Sequence, residues 1–110
     1  TSAEFNFVGF PDLENAAATY HQIPIMEFPH MSFQDDFIEN MQKQITDKSK
    51  KLYFICRSGA RSQRAAVMAL EAGYEDASNI SDGFEGDNND AGQRSKINGW
   101  KFANLPWRQN

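Results

Sequence analysis

The pattern of apolar and polar residues predicts a strand, a loop and a helix within Lys51–Gly73. Leu52–Ile55 is an apolar run with aromatic and β-branched residues, which is typical of a covered strand. Small and basic residues follow at Arg57–Arg61, and helix formers dominate from Ser62 onward. The glycine at the end of the stretch is a natural C-terminal stop. Cys56 therefore falls where the predicted strand ends.

The pattern elsewhere predicts short elements on both sides of this stretch. Asp12–Ala18 has the composition of a short helix capped by its first residue. Ile23–Phe28 is typical of an edge strand stopped by Pro29. Ser32–Ile45 is the clearest amphipathic helix, with a serine cap and apolar residues on one face. Ala77–Ile80 predicts a further strand, and strands separated by helical stretches favour an α/β fold.

Cys56, the only cysteine, is the main candidate for chemistry. A lone cysteine at a strand end is more often a small buried hydrophobic residue. Here the predicted helix places unpaired amides and a positive dipole beside it, and Arg57 and Arg61 add charge. Ser58–Ala60 is too small to cover the thiol, and its glycine can adopt a positive φ that turns amides inward. We therefore expect a lowered pKa for Cys56 and an anion-binding loop around it.

These residues resemble a known family. The loop Cys56-Arg57-Ser58-Gly59-Ala60-Arg61-Ser62 is similar to the active-site loop of rhodanese-domain sulfurtransferases. Phe5–Leu13, Gly83–Gly86 and Gly99–Trp107 resemble further segments of single-domain bacterial rhodaneses, in family order. The resemblance implies a central, mostly parallel sheet flanked by helices. It also implies one rhodanese-like domain over residues 1–110, N-terminally incomplete because the family's usual first strands do not precede Phe5.

The resemblance implies a sulfurtransferase with Cys56 as its catalytic residue. The Cys56 thiolate would take the outer sulfur of thiosulfate or a similar donor, and the resulting persulfide would pass it to a thiophilic acceptor. Residues Arg57, Ser58, Gly59, Ala60, Arg61 and Ser62 would bind the anionic donor and stabilise the persulfide. This chemistry requires no metal and no organic cofactor. The expected partners are a small anionic sulfur donor, cyanide or a thiol as acceptor, and a protein acceptor as an alternative.

Other functions remain open at this point. One is a non-catalytic rhodanese-like binding or regulatory module, or a carrier that hands its persulfide to a partner protein. Many such modules lose the cysteine that this chain keeps. Phosphatases and arsenate reductases of the same fold are a further class, and their loop is one residue longer. The six-residue loop from Cys56 to Arg61 therefore favours sulfur transfer over phosphate chemistry.

Composition and charge narrow the classes of partner. The 110 residues suffice for one small core, and 40% hydrophobic with 24% charged residues is ordinary for a globular protein. The net charge of −4 and the lack of a Lys/Arg run give no reason to expect nucleic-acid binding. No apolar run approaches the roughly 20 residues that span a bilayer. One cysteine fits a reducing compartment, so we expect a cytoplasmic protein, and unpaired sheet edges would allow a dimer.

The segment after the last predicted strand is expected to complete the site. In α/β sheets the loops that follow the strand ends form the binding site, so Ser81–Gly86 should lie near Cys56. Phe84 would either line the pocket or pack in the core. Arg94 either reaches the pocket or stays exposed, and we expect the aromatic segment Trp100–Trp107 to pack on the body of the protein.

Overall fold

The computed structural model describes residues 1–14 and 18–109. The chain divides into two compact units, Thr1–Asp47 with Trp107–Asn110, and Lys48–Pro106. The first unit contains α1 (Ser2–Phe7), β1 (Phe10–Pro11), β2 (Met26–Glu27), β3 (Ser32–Phe33), α2 (Phe37–Gln44) and β6 (Trp107–Arg108). The second unit contains β4 (Lys51–Phe54), α3 (Ala60–Glu71) and β5 (Asp76–Asn79). The interpretation of residues 1–110 as one domain stays a prediction.

The strands pair in twos within the described residues. β1 with β6 and β2 with β3 are antiparallel, whereas β4 and β5 are parallel and aligned from Lys51 opposite Asp76 to Phe54 opposite Asn79. Of the expected parallel sheet, the described residues contain this one parallel pair. The other strands form separate antiparallel pairs. The antiparallel strands are only two residues long, and β1 includes Pro11, which has no N–H to donate.

The helix α3 joins the two parallel strands, as the sequence predicts. It contacts both β4 and β5. Its buried positions are small residues, which let a helix lie close to a sheet; they are Ser62, Ala65, Ala66 and Ala69. The helix begins at Ala60, two positions before the predicted start, because Gly59 serves as its N-cap. It ends before Gly73, whose φ of 98° confirms the predicted stop.

The predicted helix over Ser32–Ile45 is wrong at its N-terminal end. Ser32 and Phe33 form β3, which pairs with β2, and the amide of Gln34 donates to the Ile25 carbonyl at 2.8 Å. This backbone pairing occupies the residues expected to form the first helical turn. The helix α2 therefore starts at Phe37, with Asp36 as an N-cap that makes no side-chain capping bond.

The predicted helix over Asp12–Ala18 is not formed by the described part of that segment. Asp12 and Leu13 are not helical, and the Asp12 carboxylate accepts from the Glu14 amide at 3.0 Å, which closes a local turn instead. Residues 15–17 lie outside the described residues. A helix does form earlier, at α1, where Thr1 and Glu4 make a capping box that was not predicted from the sequence.

The expected packing of the C-terminal aromatic segment is only partly present. Trp100 is half-buried, and its indole N–H donates to the Pro106 carbonyl at 2.7 Å. Phe102 and Leu105 are 54% and 43% exposed, and the backbone of this segment bonds to itself, with the Leu105 amide donating to the Trp100 carbonyl at 3.3 Å. Trp107 is also exposed, although its backbone pairs with Pro11. Among the described residues, no helix has the length and apolar character needed to cross a bilayer.

Candidate active site

The loop that carries Cys56 lies between the end of β4 and the start of α3. The segment after β5 runs beside it and is bonded to its backbone. The amide of Phe84 donates to the Cys56 carbonyl at 2.7 Å, and the amides of Glu85 and Gly86 donate to the Arg57 carbonyl at 2.9 and 3.0 Å. The prediction that this segment lies near Cys56 is confirmed.

Two glycines allow these backbones to approach closely. Gly59 has a φ of 108°, as expected from the sequence, and a Cβ placed there would overlap the Ser81 carbonyl oxygen. Gly83 has a φ of 72°, and a Cβ there would lie 2.5 Å from the Arg57 carbonyl oxygen. A side chain at either position would be strained by the backbone and blocked by a neighbour. The close packing of the two loops therefore depends on both glycines.

Hydrogen-bond donors from Gly59 and Ser62 converge on the sulfur of Cys56. The amide of Gly59 lies 3.2 Å from Sγ, and the amide and hydroxyl of Ser62 each lie 3.3 Å from it. The thiol is half-buried, and Ser62 is only 3% exposed. The amides near the start of α3 thus point at the sulfur, where the partial positive charge of a helix N-terminus favours an anion.

These contacts determine the ionisation of Cys56. Partial burial is the largest single influence and by itself raises the pKa of the thiol. Hydrogen bonds from the Ser62 hydroxyl and from the amides of Ser62, Gly59 and Ser58 act in the opposite direction, and together they outweigh it. The net pKa of Cys56 is lowered, as expected. The lowering comes from hydrogen bonds donated by the serine hydroxyl and by the loop amides, which include amides at the start of α3 as the sequence predicted.

The other loop residues differ in how open they are to a ligand. Arg57 and Ala60 are exposed, whereas Ser58 and Arg61 are half-buried. An exposed guanidinium on the same loop as the thiol is accessible to a dissolved anion. The loop therefore combines a partly sheltered sulfur with a cationic side chain at the surface.

Phe84 follows the core alternative, whereas Arg94 is half-buried and bonded to a backbone carbonyl instead of exposed. Phe84 is 6% exposed, and the Lys101 ammonium lies 5.1 Å from its ring centroid, so the ring packs in the core. Arg94 donates from Nη1 to the Gly86 carbonyl at 2.5 Å. This bond ties Arg94 to the backbone of the segment that follows β5.

Asn79 is a residue of the site that was not predicted from the sequence. It is the last residue of β5, and its side-chain amide donates from Nδ2 to the Gly59 carbonyl at 3.1 Å. Its oxygen Oδ1 accepts from the Ser62 hydroxyl at 2.5 Å. The available signal was a polar side chain at the carboxyl end of a predicted parallel strand, directly before the loop expected to approach Cys56.

Comparison with known proteins assigns the family. The rhodanese-like domain family matches residues 16–90. The chain is 39% identical over 109 residues to the uncharacterized protein RP600 homolog of Rickettsia rickettsii, covering 98% of this chain and 77% of that protein. It is 38% identical over 109 residues to the uncharacterized protein in dnaA 5'region of Rickettsia montanensis, with the same coverage. The crystal structure of Rv0390 from M. tuberculosis matches with a TM-score of 0.87 and 37% identity, over 98% of this chain and 78% of that one. The chain belongs to the rhodanese-like domain family and has its fold.

Proposed function

We propose that the protein is a sulfurtransferase that carries a sulfane sulfur as a persulfide on Cys56. The convergence of the Gly59 amide and of the Ser62 amide and hydroxyl on one sulfur is the observation that carries the proposal. Hydrogen bonds of this kind stabilise a thiolate, which is the nucleophilic form of cysteine. Membership of the rhodanese-like family supports the same chemistry.

The first step is attack of the Cys56 thiolate on the outer sulfur of thiosulfate. A sulfur–sulfur bond forms to Cys56, and the bond between the two sulfur atoms of thiosulfate breaks. Sulfite leaves with the electron pair of that bond, and the negative charge of the enzyme moves to the outer sulfur of the persulfide. No proton transfer or external oxidant is needed, so the requirement on the protein is a stable thiolate and a bound anion.

The second step returns the thiolate. Cyanide or an acceptor thiolate attacks the outer sulfur of the persulfide, and the sulfur–sulfur bond to Cys56 breaks with its electron pair on Sγ. Cyanide yields thiocyanate, and a thiolate yields a new persulfide. The donors around Sγ then stabilise the restored charge, so the same hydrogen bonds serve the attacking and the leaving thiolate.

Arg57 and Arg61 assist by binding the donor. Their charges lie on one loop of a chain whose net charge is −4, so positive potential is concentrated at the thiol. The exposed position of Arg57 suits an initial contact with the sulfonate end of thiosulfate. The half-buried Arg61 lies in the first turn of α3, close to the amides that face the sulfur.

Intact-protein mass after brief incubation with thiosulfate tests the proposal. We expect the wild-type protein to gain one sulfur atom, and we expect cyanide to remove it as thiocyanate. Cys56→Ser is the matched control, because it keeps a side chain of similar size and removes the thiol. Equal gains in both proteins, or no gain in a well-folded wild type, would contradict the assignment. A gain that cyanide does not remove would contradict a persulfide on Cys56 that an acceptor can reach.

A further inference from the structure

The hydroxyl of Ser62 faces three hydrogen-bond acceptors. They are Sγ of Cys56 at 3.3 Å, the Gly59 carbonyl at 3.1 Å and Oδ1 of Asn79 at 2.5 Å. A serine hydroxyl has only one hydrogen to donate. The side chain is 3% exposed, so bulk water has little access to replace a missing donor. The three acceptors therefore compete for the same hydrogen.

The orientation of Asn79 follows from its other contact. The Gly59 carbonyl can only accept, so the nitrogen of the Asn79 amide must face it, at 3.1 Å. The oxygen of the amide then faces Ser62 and can only accept. Bonding between Asn79 and Ser62 consequently uses the serine hydrogen, and that hydrogen is then not directed at Cys56.

We propose that Asn79 is a positioning residue that receives the Ser62 hydrogen bond whenever Sγ of Cys56 carries no negative charge. This inference rests on the proposed sulfur transfer and extends it. The thiolate is a charged and strong acceptor, so it draws the serine hydrogen to Sγ. In the persulfide the charge lies on the outer sulfur, Sγ is a weak acceptor, and the hydrogen returns to Asn79.

This exchange has a consequence for the direction of sulfur transfer. Asn79 stabilises the states in which Sγ is uncharged, which are the thiol and the persulfide. It thereby disfavours the resting thiolate relative to the persulfide and promotes sulfur uptake. Removing the Asn79 acceptor leaves Sγ and the Gly59 carbonyl to share the Ser62 hydrogen. More of that hydrogen bond should then fall on Sγ, so the thiolate should become more stable relative to the persulfide.

The pH dependence of alkylation of Cys56 by iodoacetamide tests the inference without a sulfur donor. Asn79→Ala should lower the pKa of Cys56 and raise the alkylation rate below neutral pH by a factor of roughly 2 to 10, the range of one hydrogen bond. Asn79→Asp should raise the pKa, because a carboxylate holds the serine hydrogen more strongly and adds negative charge. The charged residues of the two loop segments, 56–62 and 79–86, are the same in all variants apart from position 79 itself; they are Arg57, Arg61, Asp82 and Glu85.

The same Asn79 substitutions made in a Ser62→Ala protein separate this role from a purely structural contact of Asn79 with Gly59. If Asn79 acts through Ser62, the effect of Asn79→Ala should disappear in Ser62→Ala, and that of Asn79→Asp should become smaller. Effects that are equal in both backgrounds would overturn the inference, as would shifts of the same sign for Ala and Asp. Circular dichroism checks that each variant folds. If Asn79→Ala does not fold, the Cys56 pKa of Asn79→Asp, compared with and without Ser62→Ala, decides the question.

Persulfide formation is then measured on the same proteins. With mixtures of thiosulfate and sulfite, Asn79→Ala should hold a smaller persulfide fraction than the wild type, by a factor similar to its alkylation effect. If Asn79→Ala holds the same persulfide fraction as the wild type, the proposed role of Asn79 in sulfur uptake is wrong. If the alkylation results are as expected but the wild-type protein forms no persulfide, the proposed sulfur transfer is wrong. The competition for the serine hydrogen is still supported in that case.

Discussion

Gly59 lies so close to Ser81 that a Cβ atom on Gly59 would overlap the Ser81 carbonyl oxygen. The same glycine has a φ of 108°, forms the N-cap of α3 and donates its amide to Cys56 Sγ at 3.2 Å. One small residue therefore sets the distance between two loops and directs a donor at the sulfur. Stability and thiol chemistry should change together when it is replaced.

Gly59→Ala should reduce the free energy of unfolding by about 2–4 kcal/mol, because the strained φ and the overlap with Ser81 both oppose a side chain. Urea unfolding provides the measurement. Gly92→Ala is the matched control, since Gly92 has a φ of 74° and a Cβ placed there would meet no atom within 4 Å. The control should lose only about 1–2 kcal/mol from the backbone conformation. Equal losses would show that contact with Ser81 contributes nothing.

Ser62→Ala should raise the pKa of Cys56, because the hydroxyl is one of the groups that stabilise the thiolate. Hydrogen bonds to charged groups contribute about 1.5–3 kcal/mol, so alkylation below neutral pH should slow by about tenfold or more. Ser58→Ala is the control, because it keeps the backbone amide that acts on the sulfur. An unchanged pH profile in Ser62→Ala would show that the amides alone determine the pKa.

Local and non-local features of this site differ in how far the sequence predicts them. The strand, loop and helix from β4 to α3 follow from neighbouring residues, and the lowered pKa follows from that order. The role of Asn79 does not, because it lies 17 residues from Ser62 and meets it only through the parallel register of β4 and β5. A strand-end polar residue indicates a region of the site, but not which atoms it contacts.

The same distinction explains the error at Ser32. Its local sequence has a helix cap and an amphipathic pattern, yet it pairs with Glu27 across a turn. Local propensity is a weak preference that tertiary pairing overrides. The burial of Phe37 and Met41 was predictable, because the spacing of apolar residues survives the shift in the helix start.

The lowered pKa of Cys56 predicts how stability depends on pH. Above the lowered folded pKa and below the unfolded value of about 8.5, the unfolded chain binds more protons, so stability rises with pH. The contribution is fully present above the unfolded pKa and is lost as the pH falls through the folded pKa. The free energy of unfolding of wild type minus that of Cys56→Ser should therefore grow as the pH rises toward the unfolded pKa of about 8.5. A difference that shrinks over this interval would contradict a stabilised thiolate.

Arg57→Ala should weaken the binding of thiosulfate more than the chemistry. Arg57 is exposed, and its charge attracts the donor before and during reaction alike, so KM should rise while kcat changes little. An exposed ion pair contributes up to about 1 kcal/mol, which corresponds to a KM increase of roughly fivefold or less. Steady-state thiocyanate formation at low ionic strength gives both constants.

Two further measurements, at high salt and with a second arginine replaced, separate donor binding by Arg57 from a general effect of charge. The difference in KM between wild type and Arg57→Ala should diminish at high salt, because screening acts on exposed charges. Arg64→Ala removes an equal charge from α3, one turn beyond the loop, and should change KM less because Arg64 lies farther along the helix from Cys56. If Arg64→Ala raises KM as much as Arg57→Ala does, the donor responds to the overall field of the protein and not to a contact with Arg57. If kcat falls while KM stays constant, Arg57 acts on the transition state, because only the loss of an interaction made there lowers kcat without changing ground-state binding.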